Sequence, residues 1–351
     1  MIVTVTSMQI ETIRNVADWA ALAGQWNALL RESHSHVPFL TYEFQSAWWQ
    51  ELGGGEWQDA ELNILLSRDG DGGLIGIAPL FLTTDQDGGR VLHFIGSHEI
   101  ADFLDLIVRP QDHTAFAQAI VEHLSGTDAP NWERLELYNL LGSSLTPALL
   151  RAAAEKESLA FSHETLQPSP YIVIPATLDA YIDSLGSKQA HELRRKLRRA
   201  ARNPDPISLE IVQDAAELET ALDEFIRLMT RETQKAAFLT PAMRKQMETI
   251  ARTAFAGGWL QLVFLKSGDA RIAGYMNFDY DNCIWAYNAG FDAAFAALSP
   301  GWLIMAKMIA WCIENDRHIF DFMRGGEDYK YRFGGVDRFV QKVTISRTTN
   351  S

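Results

Sequence analysis

Two stretches of the chain share one alternation of apolar and polar positions. LNILLSRDGDGGLIGIAPLFL begins at Leu62 and LQLVFLKSGDARIAGYMNFDY begins at Leu260, and they align without a gap at a spacing of 198 positions. Each pattern predicts a strand, a tight turn and a second strand. In the turns, Gly70 and Gly268 can take positive φ, and the Asp that follows each can bond its own backbone. The sequence therefore predicts two β-hairpins in equivalent places.

The same succession of elements follows each hairpin. We predict a strand, a helix and a strand at 91–95, 113–124 and 135–140, and again at 283–289, 301–315 and 319–323. Amphipathic helices are predicted upstream of the hairpins, at 18–31 and 42–51 and at 215–231 and 241–256. The recurrence predicts two copies of one α-α-β-β-β-α-β unit. The alternative is chance similarity, because hairpins with Gly-Asp turns are common.

The boundary between the two copies is expected near residue 165. The segment Gln167-Pro168-Ser169-Pro170 cannot sustain a helix, because proline lacks an N–H and restricts the residue before it. A chain of 351 residues also exceeds the roughly 150-residue norm for one domain. We therefore expect an N-terminal domain at 1–165 and a C-terminal domain at 166–351.

The composition of the chain limits the kinds of molecule that it is expected to bind. Apolar residues make up 47% of the chain, as in a globular protein, and the net charge of −14 repels DNA, tRNA and anionic membranes. The chain has no basic leader followed by an apolar segment and no run of about 18 apolar residues, so we expect a cytoplasmic protein without membrane insertion. Cys283 and Cys312 lack a CxxC pattern and are expected to be buried. The nine His show no metal-binding spacing, and we expect no metal.

The first candidate site lies where a strand enters a helix, in YNAGFDAAFAALSPGWLIMA from Tyr287. Ser299 is a good N-cap, Pro300 fits the first helical turn, and Gly301 lets a ligand approach the backbone. The free N–H groups of such a helix start can bind a pyrophosphate. Asn288 and Trp302 lie in the same stretch and complete the set of cofactor-binding candidates. The alternative is an ordinary capped helix. The matching region of the first half has four acids and no Gly near its helix start, which favours a cofactor site in the second half.

The second candidate site is FDFMRGGEDYKYRFGG, from Phe320 to Gly335, where a strand ends in two glycines. Loops at strand ends often carry sites. Tyr329 offers a phenol that can protonate a thiolate, and Glu327 or Asp328 offers a carboxylate that can take a proton from an ammonium group. Lys330 or Arg332 offers a positive charge for an oxyanion. The alternative is a solvated surface loop.

Two further features, together with Asp321, are candidates for binding a substrate. Asp102 and Asp105 lie among apolar residues in IADFLDLIVRP, and buried acids need partners. One or both can hold a cationic acceptor or pair with the basic helix described next, or they can be a turn acid and a strand-start acid. The stretch KQAHELRRKLRRAAR predicts a basic helix opened by Ser187, which either binds an anion or forms a solvated face. The substrate-binding candidates are Asp102, Asp105, Arg194, Arg198 and Asp321.

These motifs resemble the GNAT acetyltransferase family related to the CelD-like proteins of cellulose biosynthesis. The resemblance runs nearly end to end and includes PFLTYEFQSAWW, GLIGIAPL, ADFLDLIV, KQAHELRRKLRRA, YNAGFDAAFAALSPGWLI and FDFMRGGEDYKYRFGG. The final YKYRFGG is also similar to the Phe-Lys-x-x-Phe-Gly-Gly ending of Fem-type peptidyltransferases, which are double GNAT folds. In that ending, Lys330 takes the place of the motif lysine proposed to steady the transition state. The usual GNAT pyrophosphate loop is missing, and Ser299-Pro300-Gly301 would have to stand in for it.

The resemblance implies an α/β (α+β) fold of tandem GNAT-like domains, each with a mixed, mostly antiparallel sheet flanked by helices. It implies that the second domain binds acetyl-CoA or another acyl-CoA, and that the first serves the acceptor without a cofactor loop of its own. The expected reaction is N-acyl transfer to an amine of a sugar, an amino acid or another small molecule, by a monomer or homodimer. Catalysis would use Tyr329, Lys330 and Glu327. The alternatives are aminoacyl transfer from tRNA, which the net charge disfavours, and a non-catalytic binding module in polysaccharide assembly.

Overall fold

The computed structural model describes residues 8–55, 57 and 59–347, which form two compact units. The first unit runs to Gln167 and resumes at Phe339, and the second comprises Pro168–Arg338. The last strand therefore belongs to the first unit, which differs from the expected division into 1–165 and 166–351.

The strands are β1 (Glu11–Ile13), β2 (Glu61–Leu62), β3 (Ile64–Arg68), β4 (Leu74–Ala78), β5 (Leu80–Thr84), β6 (Arg90–Phe94), β7 (Ile107–Val108), β8 (Arg134–Leu141), β9 (Ala160–Pro168), β10 (Tyr171–Val173), β11 (Ile207–Ile211), β12 (Leu260–Ser267), β13 (Ala270–Tyr280), β14 (Cys283–Phe291), β15 (Ile319–Asp321) and β16 (Phe339–Ser346). The helices are α1 (Val16–Ala20), α2 (Ala23–Glu32), α3 (Tyr42–Leu52), α4 (Ser97–Ile100), α5 (His113–Ser125), α6 (Thr146–Lys156), α7 (Leu178–Ser184), α8 (Ser187–Ala201), α9 (Ala215–Met229), α10 (Thr233–Phe238), α11 (Pro241–Ala256), α12 (Pro300–Glu314) and α13 (Asp328–Arg332). Short 3₁₀ turns lie at Pro38–Leu40, Pro110–Asp112 and Ala293–Leu298.

The first unit contains two sheets. One has the antiparallel order β1-β3-β4-β7. The other has the order β2-β5-β6-β8-β16-β9, in which β6 and β8 are parallel. The predicted hairpin forms as β3 and β4, but in its turn positive φ falls on Gly72 (83°) rather than on Gly70. The chain leaves β4 at Pro79, which cannot donate to a ladder, and enters the other sheet as β5.

The second unit has one sheet, in the order β10-β15-β14-β13-β12-β11. Its neighbouring strands are antiparallel except β14 and β15, which are parallel. Side chains alternate between the two faces of the sheet. On one face Gly274 meets Phe225 of α9, whereas Ala273 and Tyr275 share a core with α7, α8 and α12 on the other. Both faces of this sheet are therefore covered by helices.

Helix α9 approaches β14 so closely that only glycine fits at position 290. A Cβ atom on Gly290 would overlap the backbone of Leu228 and Met229. This contact places α9 and the segment after it beside the C-terminal end of β14.

Most predicted elements are confirmed, including the second hairpin, the basic helix α8, and the helices α5, α9, α11 and α12. The helix predicted at 18–31 is wrong as a single element, because the chain breaks it into α1 and α2. Residues Asp328–Arg332 form a short helix where a loop was expected. Cys283 and Cys312 are buried as predicted, and burial raises the pKa of the Cys312 thiol to about 12.

Candidate functional site

Strand β14 has an open edge in the middle of the second unit. Strand β15 pairs with it only from Cys283 to Trp285, and in the described part of the chain no strand continues that side. One extra residue on β14 also shifts its register with β13 between Trp285 and Asn288, as a β-bulge does. Residues 286–289 are consequently half-buried rather than enclosed.

The backbone of Ala289 faces this open edge. Its N–H donates to Asn288 Oδ1 at 3.0 Å, and its carbonyl accepts from Lys235 Nζ at 2.8 Å. A strand edge with such groups can bind an extended chain that carries amides. Asn288, a predicted cofactor-binding residue, thus occupies one of the hydrogen-bonding positions that such a chain would use.

Two cavities meet at the open edge. The smaller, about 170 Å³, lies where β14 and β15 separate and contains Ala286, Tyr287 and Phe322 in its wall. The larger, about 460 Å³, extends past Phe291 to Gly301 and Trp302 at the start of α12. The residues that line both are Lys235, Tyr275, Ala289, Glu327 and Tyr329. Residues from the two predicted sites therefore lie in one cleft.

Two phenols face this cleft. Tyr329 is 46% exposed as a whole residue, but burial of its hydroxyl end raises its pKa above the ordinary value, and the charges of Glu327 and Glu232 raise it further. Tyr275 is buried, and burial likewise raises its pKa. Both phenols are therefore protonated at neutral pH and can act as proton donors.

The ammonium group of Lys330 is enclosed by its own loop. Only 2% of the side chain is exposed, and Nζ donates to the carbonyls of Met323, Arg324 and Gly325 at 3.0, 2.6 and 3.0 Å. Glu327 Oε2 lies 2.9 Å from the same nitrogen. Since an ammonium group has three protons, these acceptors use its whole donor capacity. Lys330 thus holds residues 323–325 and the carboxylate of Glu327 in place.

The start of α12 lacks the side-chain hydrogen bond expected from its N-cap residue, Ser299. Ser299 occupies the N-cap position with φ of 59°, but its side chain caps no helix N–H, so the prediction of a serine side-chain cap is wrong. Its hydroxyl accepts from Lys196 Nζ at 2.6 Å. The N–H groups of Trp302 and Leu303 both turn back to the carbonyl of Ser299, and within the described residues the N–H of Gly301 has no backbone acceptor. One N–H, the helix dipole and the Lys196 charge therefore converge at this terminus.

Space remains for a ligand at this terminus. A Cβ atom on Gly301 would meet only the ring of Phe291, at an ordinary 3.4 Å. Trp302 packs on Phe333 with ring centroids 4.7 Å apart, and Lys196 Nζ lies 5.5 Å from its ring. Pro300 is buried in the first turn of α12.

The basic side chains of helix α8 have different partners. Arg194 pairs with Asp183, whereas Lys196 reaches the start of α12. Arg198 is exposed and makes no ion pair among the described residues. Asp321 is fully buried, pairs with Arg338 and accepts the N–H of Met323 at 2.8 Å. Arg194 and Asp321 are therefore engaged by the protein itself.

The two acids of the first unit are buried. Asp105 accepts hydrogen bonds from the hydroxyls of Ser35, Ser144 and Thr146 and from the N–H of Leu106, at 2.5–2.8 Å. Asp102 is 6% exposed. The carboxylate of Asp105 thus ties together three segments of the first unit. Within the described chain, no group of three or more His, Cys, Asp or Glu side chains is arranged to hold a metal ion.

The comparisons with known proteins concern the fold and one part of the chain. Residues 187–331 match the family model described as an acetyltransferase (GNAT) domain. The match covers less than half of the chain and contains α8, the start of α12 and Tyr329. No curated protein sequence matches the chain significantly.

Solved structures resemble the chain over nearly its whole length. FemX aligns with a TM-score of 0.64 and 12% identity, covering 95% of this chain and 97% of FemX. The C-terminal domain of a putative lysylphosphatidylglycerol synthetase from Agrobacterium fabrum aligns at 0.55 and 10%, covering 95% and 93%. L-PGS from Bacillus licheniformis aligns at 0.54 and 13%, covering 93% and 92%. The expected fold class of tandem GNAT-like units, with mixed sheets flanked by helices, is confirmed, and the fold is of the acyltransferase type.

Two residues that line this cleft were not predicted from the sequence. Tyr275 lies within a buried strand, where its pattern equals that of a core aromatic; its polar tip was the only available signal. Lys235 lies in the six-residue helix α10, which carries no motif. In the described part of the chain, no helix has the length and apolar character needed to cross a membrane.

Proposed function

We propose that the second unit transfers an acyl group from acyl-CoA, with acetyl-CoA as the simplest donor, to an amine of a small molecule. The observation that most directly supports this is the open edge of β14, which leads from the start of α12 to Tyr329 within one cleft. A CoA thioester combines phosphates, an extended arm with two amides and a thioester, and these match the features of the cleft in that order.

The phosphates would lie at the start of α12. The Gly301 N–H and the Lys196 ammonium group offer a donor and a charge there, and Trp302 offers an aromatic wall. The arm would lie along β14 and hydrogen-bond to Ala289, in place of Asn288 Oδ1 and Lys235. The thioester would then lie between Tyr329 and Glu327, where the two cavities meet.

The chemistry we propose is direct attack. The amine nitrogen forms a bond to the thioester carbon, and the π pair of the carbonyl moves onto its oxygen. When this oxyanion collapses, the C–S bond breaks, and the departing sulfur takes the proton of Tyr329. Glu327 or a water molecule takes the proton lost by the amine and returns it to Tyr329. The products are an amide and free CoA, so atoms and protons balance.

The identity we propose for the acceptor is based on the resemblance of the sequence to a known family. Similarity to the CelD-like proteins supports an amine on a sugar, with an amino acid as the alternative, and polysaccharide assembly in the cytoplasm as the setting. We propose that the first unit, with Asp102, serves the acceptor, and that Asp105 supports the fold of that unit through its four hydrogen bonds.

The test is release of free CoA thiol from acetyl-CoA in the presence of amino sugars and amino acids. Cys283 and Cys312 are buried, so the protein contributes little thiol background. We expect Tyr329→Phe to lower kcat by about 10²- to 10⁴-fold, because a positioned proton donor is worth that much. Tyr331→Phe is the matched control: within the described part of the chain that exposed phenol donates to Asp337 alone, so its loss should leave kcat unchanged. Full kcat in Tyr329→Phe would refute the role of Tyr329, and no thiol release with any amine would favour a non-catalytic binding module.

A second candidate is aminoacyl transfer from tRNA. The exposed arginines of α8 and its C-cap favour it, because within the described residues Arg198, Arg199 and the C-cap Arg202 make no ion pair. Tight binding of bulk tRNA that weakens steeply with salt, and that is lost when these arginines are changed to Ala, would place this candidate above acyl-CoA.

A further inference from the structure

We propose that Lys235, rather than Lys330, provides the positive charge that stabilises the oxyanion of the acyl-transfer step. The inference rests on the proposed function, and it assigns a catalytic role to a residue outside every motif of the chain. The two lysines differ in what already holds their ammonium groups.

Lys330 has no donor capacity left for a reacting oxygen. Its three protons face three backbone carbonyls and the Glu327 carboxylate, all within 3.0 Å. Moving it toward a substrate would leave those carbonyls without a donor, and a buried polar group without a partner is unfavourable. Lys330 is therefore a positioning residue that holds Glu327 and the 323–325 segment.

Lys235 is held weakly and lies at the reacting end of the cleft. Its Nζ donates to one backbone carbonyl, that of Ala289, at 2.8 Å. Its other polar contact among the described residues is Glu232 Oε2 at 3.3 Å, and the two side chains are 32% and 55% exposed. Lys235 lines both cavities, together with Tyr329 and Glu327. It is thus within reach of the point where the thioester would lie.

Binding of the donor would release Lys235. An amide N–H of the extended arm competes for the Ala289 carbonyl, so the ammonium group exchanges one hydrogen-bond acceptor for another. A new acceptor in the same cleft is the thioester carbonyl, whose oxygen gains negative charge as the amine attacks. Lys235 stays protonated throughout, while the proton of the leaving thiol comes from Tyr329. A cation that meets charge only as it develops lowers the barrier selectively.

The test compares Lys235→Met, Lys235→Arg and Lys330→Met. For Lys235→Met we expect kcat to fall by about 10²- to 10³-fold, the typical effect of removing one oxyanion donor. Affinity for acetyl-CoA should stay equal or rise, because the competitor for Ala289 is gone. Lys235→Arg keeps the charge and should recover at least about 10-fold of the loss. Lys156→Met, at an exposed lysine of the first unit, is the control and should match the wild type.

The outcomes separate this role from others. For Lys330→Met we expect a lower Tm, whereas Lys235→Met should leave Tm unchanged. If Lys235→Met keeps kcat within threefold of the wild type, or if only its acetyl-CoA affinity falls, the oxyanion role is overturned while the proposed function stands. If the wild type neither binds acetyl-CoA nor releases thiol, both fail together. If Lys235→Met does not fold, Lys235→Gln under the same kcat criterion decides.

Discussion

Lys330 and Lys235 each lie in the first turn of a short helix, α13 and α10, but only Lys330 belongs to a sequence motif. The cage of carbonyls around Lys330 arises because Gly325, with φ of 109°, turns the chain back toward the lysine. No local pattern reveals which carbonyls a side chain will meet. The sequence therefore placed both Tyr329 and Lys330 in a site, but it could not separate the group that faces the cleft from the group that supports it.

Asp105 shows the same limit. The argument that an acid among apolar residues needs partners suggested a cationic acceptor or the basic helix, whereas the structure supplies three hydroxyls and one N–H to Asp105. Its partners Ser35 and Thr146 lie 70 and 41 positions away, beyond the reach of any pattern argument.

The same network makes the first unit sensitive to acid. His113 Nε2 lies 3.0 Å from Thr146 Oγ1, and burial lowers the pKa of His113, helped by His34 and opposed by the charge of Asp105. The folded chain thus binds fewer protons here than the unfolded chain, whose His titrates near 6.5. This contribution to stability is intact above about pH 6.5 and is lost as pH falls toward the lower folded pKa. We expect the Tm difference between pH 7.5 and pH 5.5 to shrink in His113→Gln; an unchanged difference would contradict this.

At the scale of elements, hydropathy patterns predicted most helices and strands of both units. The hydropathy patterns failed where a local interaction that they do not record decides where a helix begins or ends. Helix α1 is capped by Asn15, whose Oδ1 accepts from Asp18 N–H, and the chain turns at Leu22 before α2 begins. The short helix α13 lies in a stretch with two glycines on each side, which favoured a loop.

The close contact of α9 with β14 gives a test of the second unit. Gly290→Ala should destabilise it by about 1–3 kcal/mol, because the added methyl group overlaps the backbone of α9. The corresponding loss in Tm is roughly 2–4 °C per kcal/mol for a unit of this size. The control is Gly24→Ala in α2, where a Cβ atom meets nothing within 4 Å and a helical alanine should be neutral or stabilising. Equal melting of the two variants would contradict the packing described here.

At the scale of the whole molecule, the duplicated pattern predicted two αβ units, and the structure shows one parallel strand pair in each, β6 with β8 and β14 with β15. The destination of β16 could not be predicted from it. Its buried Val340, Val343 and Ile345 fit any half-buried strand, and long-range pairing with β8 and β9 assigns it to the first unit. The net charge also describes only the chain as a whole: a value of −14 does not reveal that helix α8 is strongly basic.

The most direct test of the central claim is calorimetric titration of the full chain with acetyl-CoA, for the wild type and for Gly301→Val. A side chain at position 301 should fit the ligand-free fold but block approach to the N–H at the start of α12. We expect micromolar binding by the wild type and at least about 10-fold weaker binding by the variant, a loss of about 1.4 kcal/mol. Equal binding by both would contradict the location of the donor, and no binding by the wild type would contradict acyl-CoA as the donor.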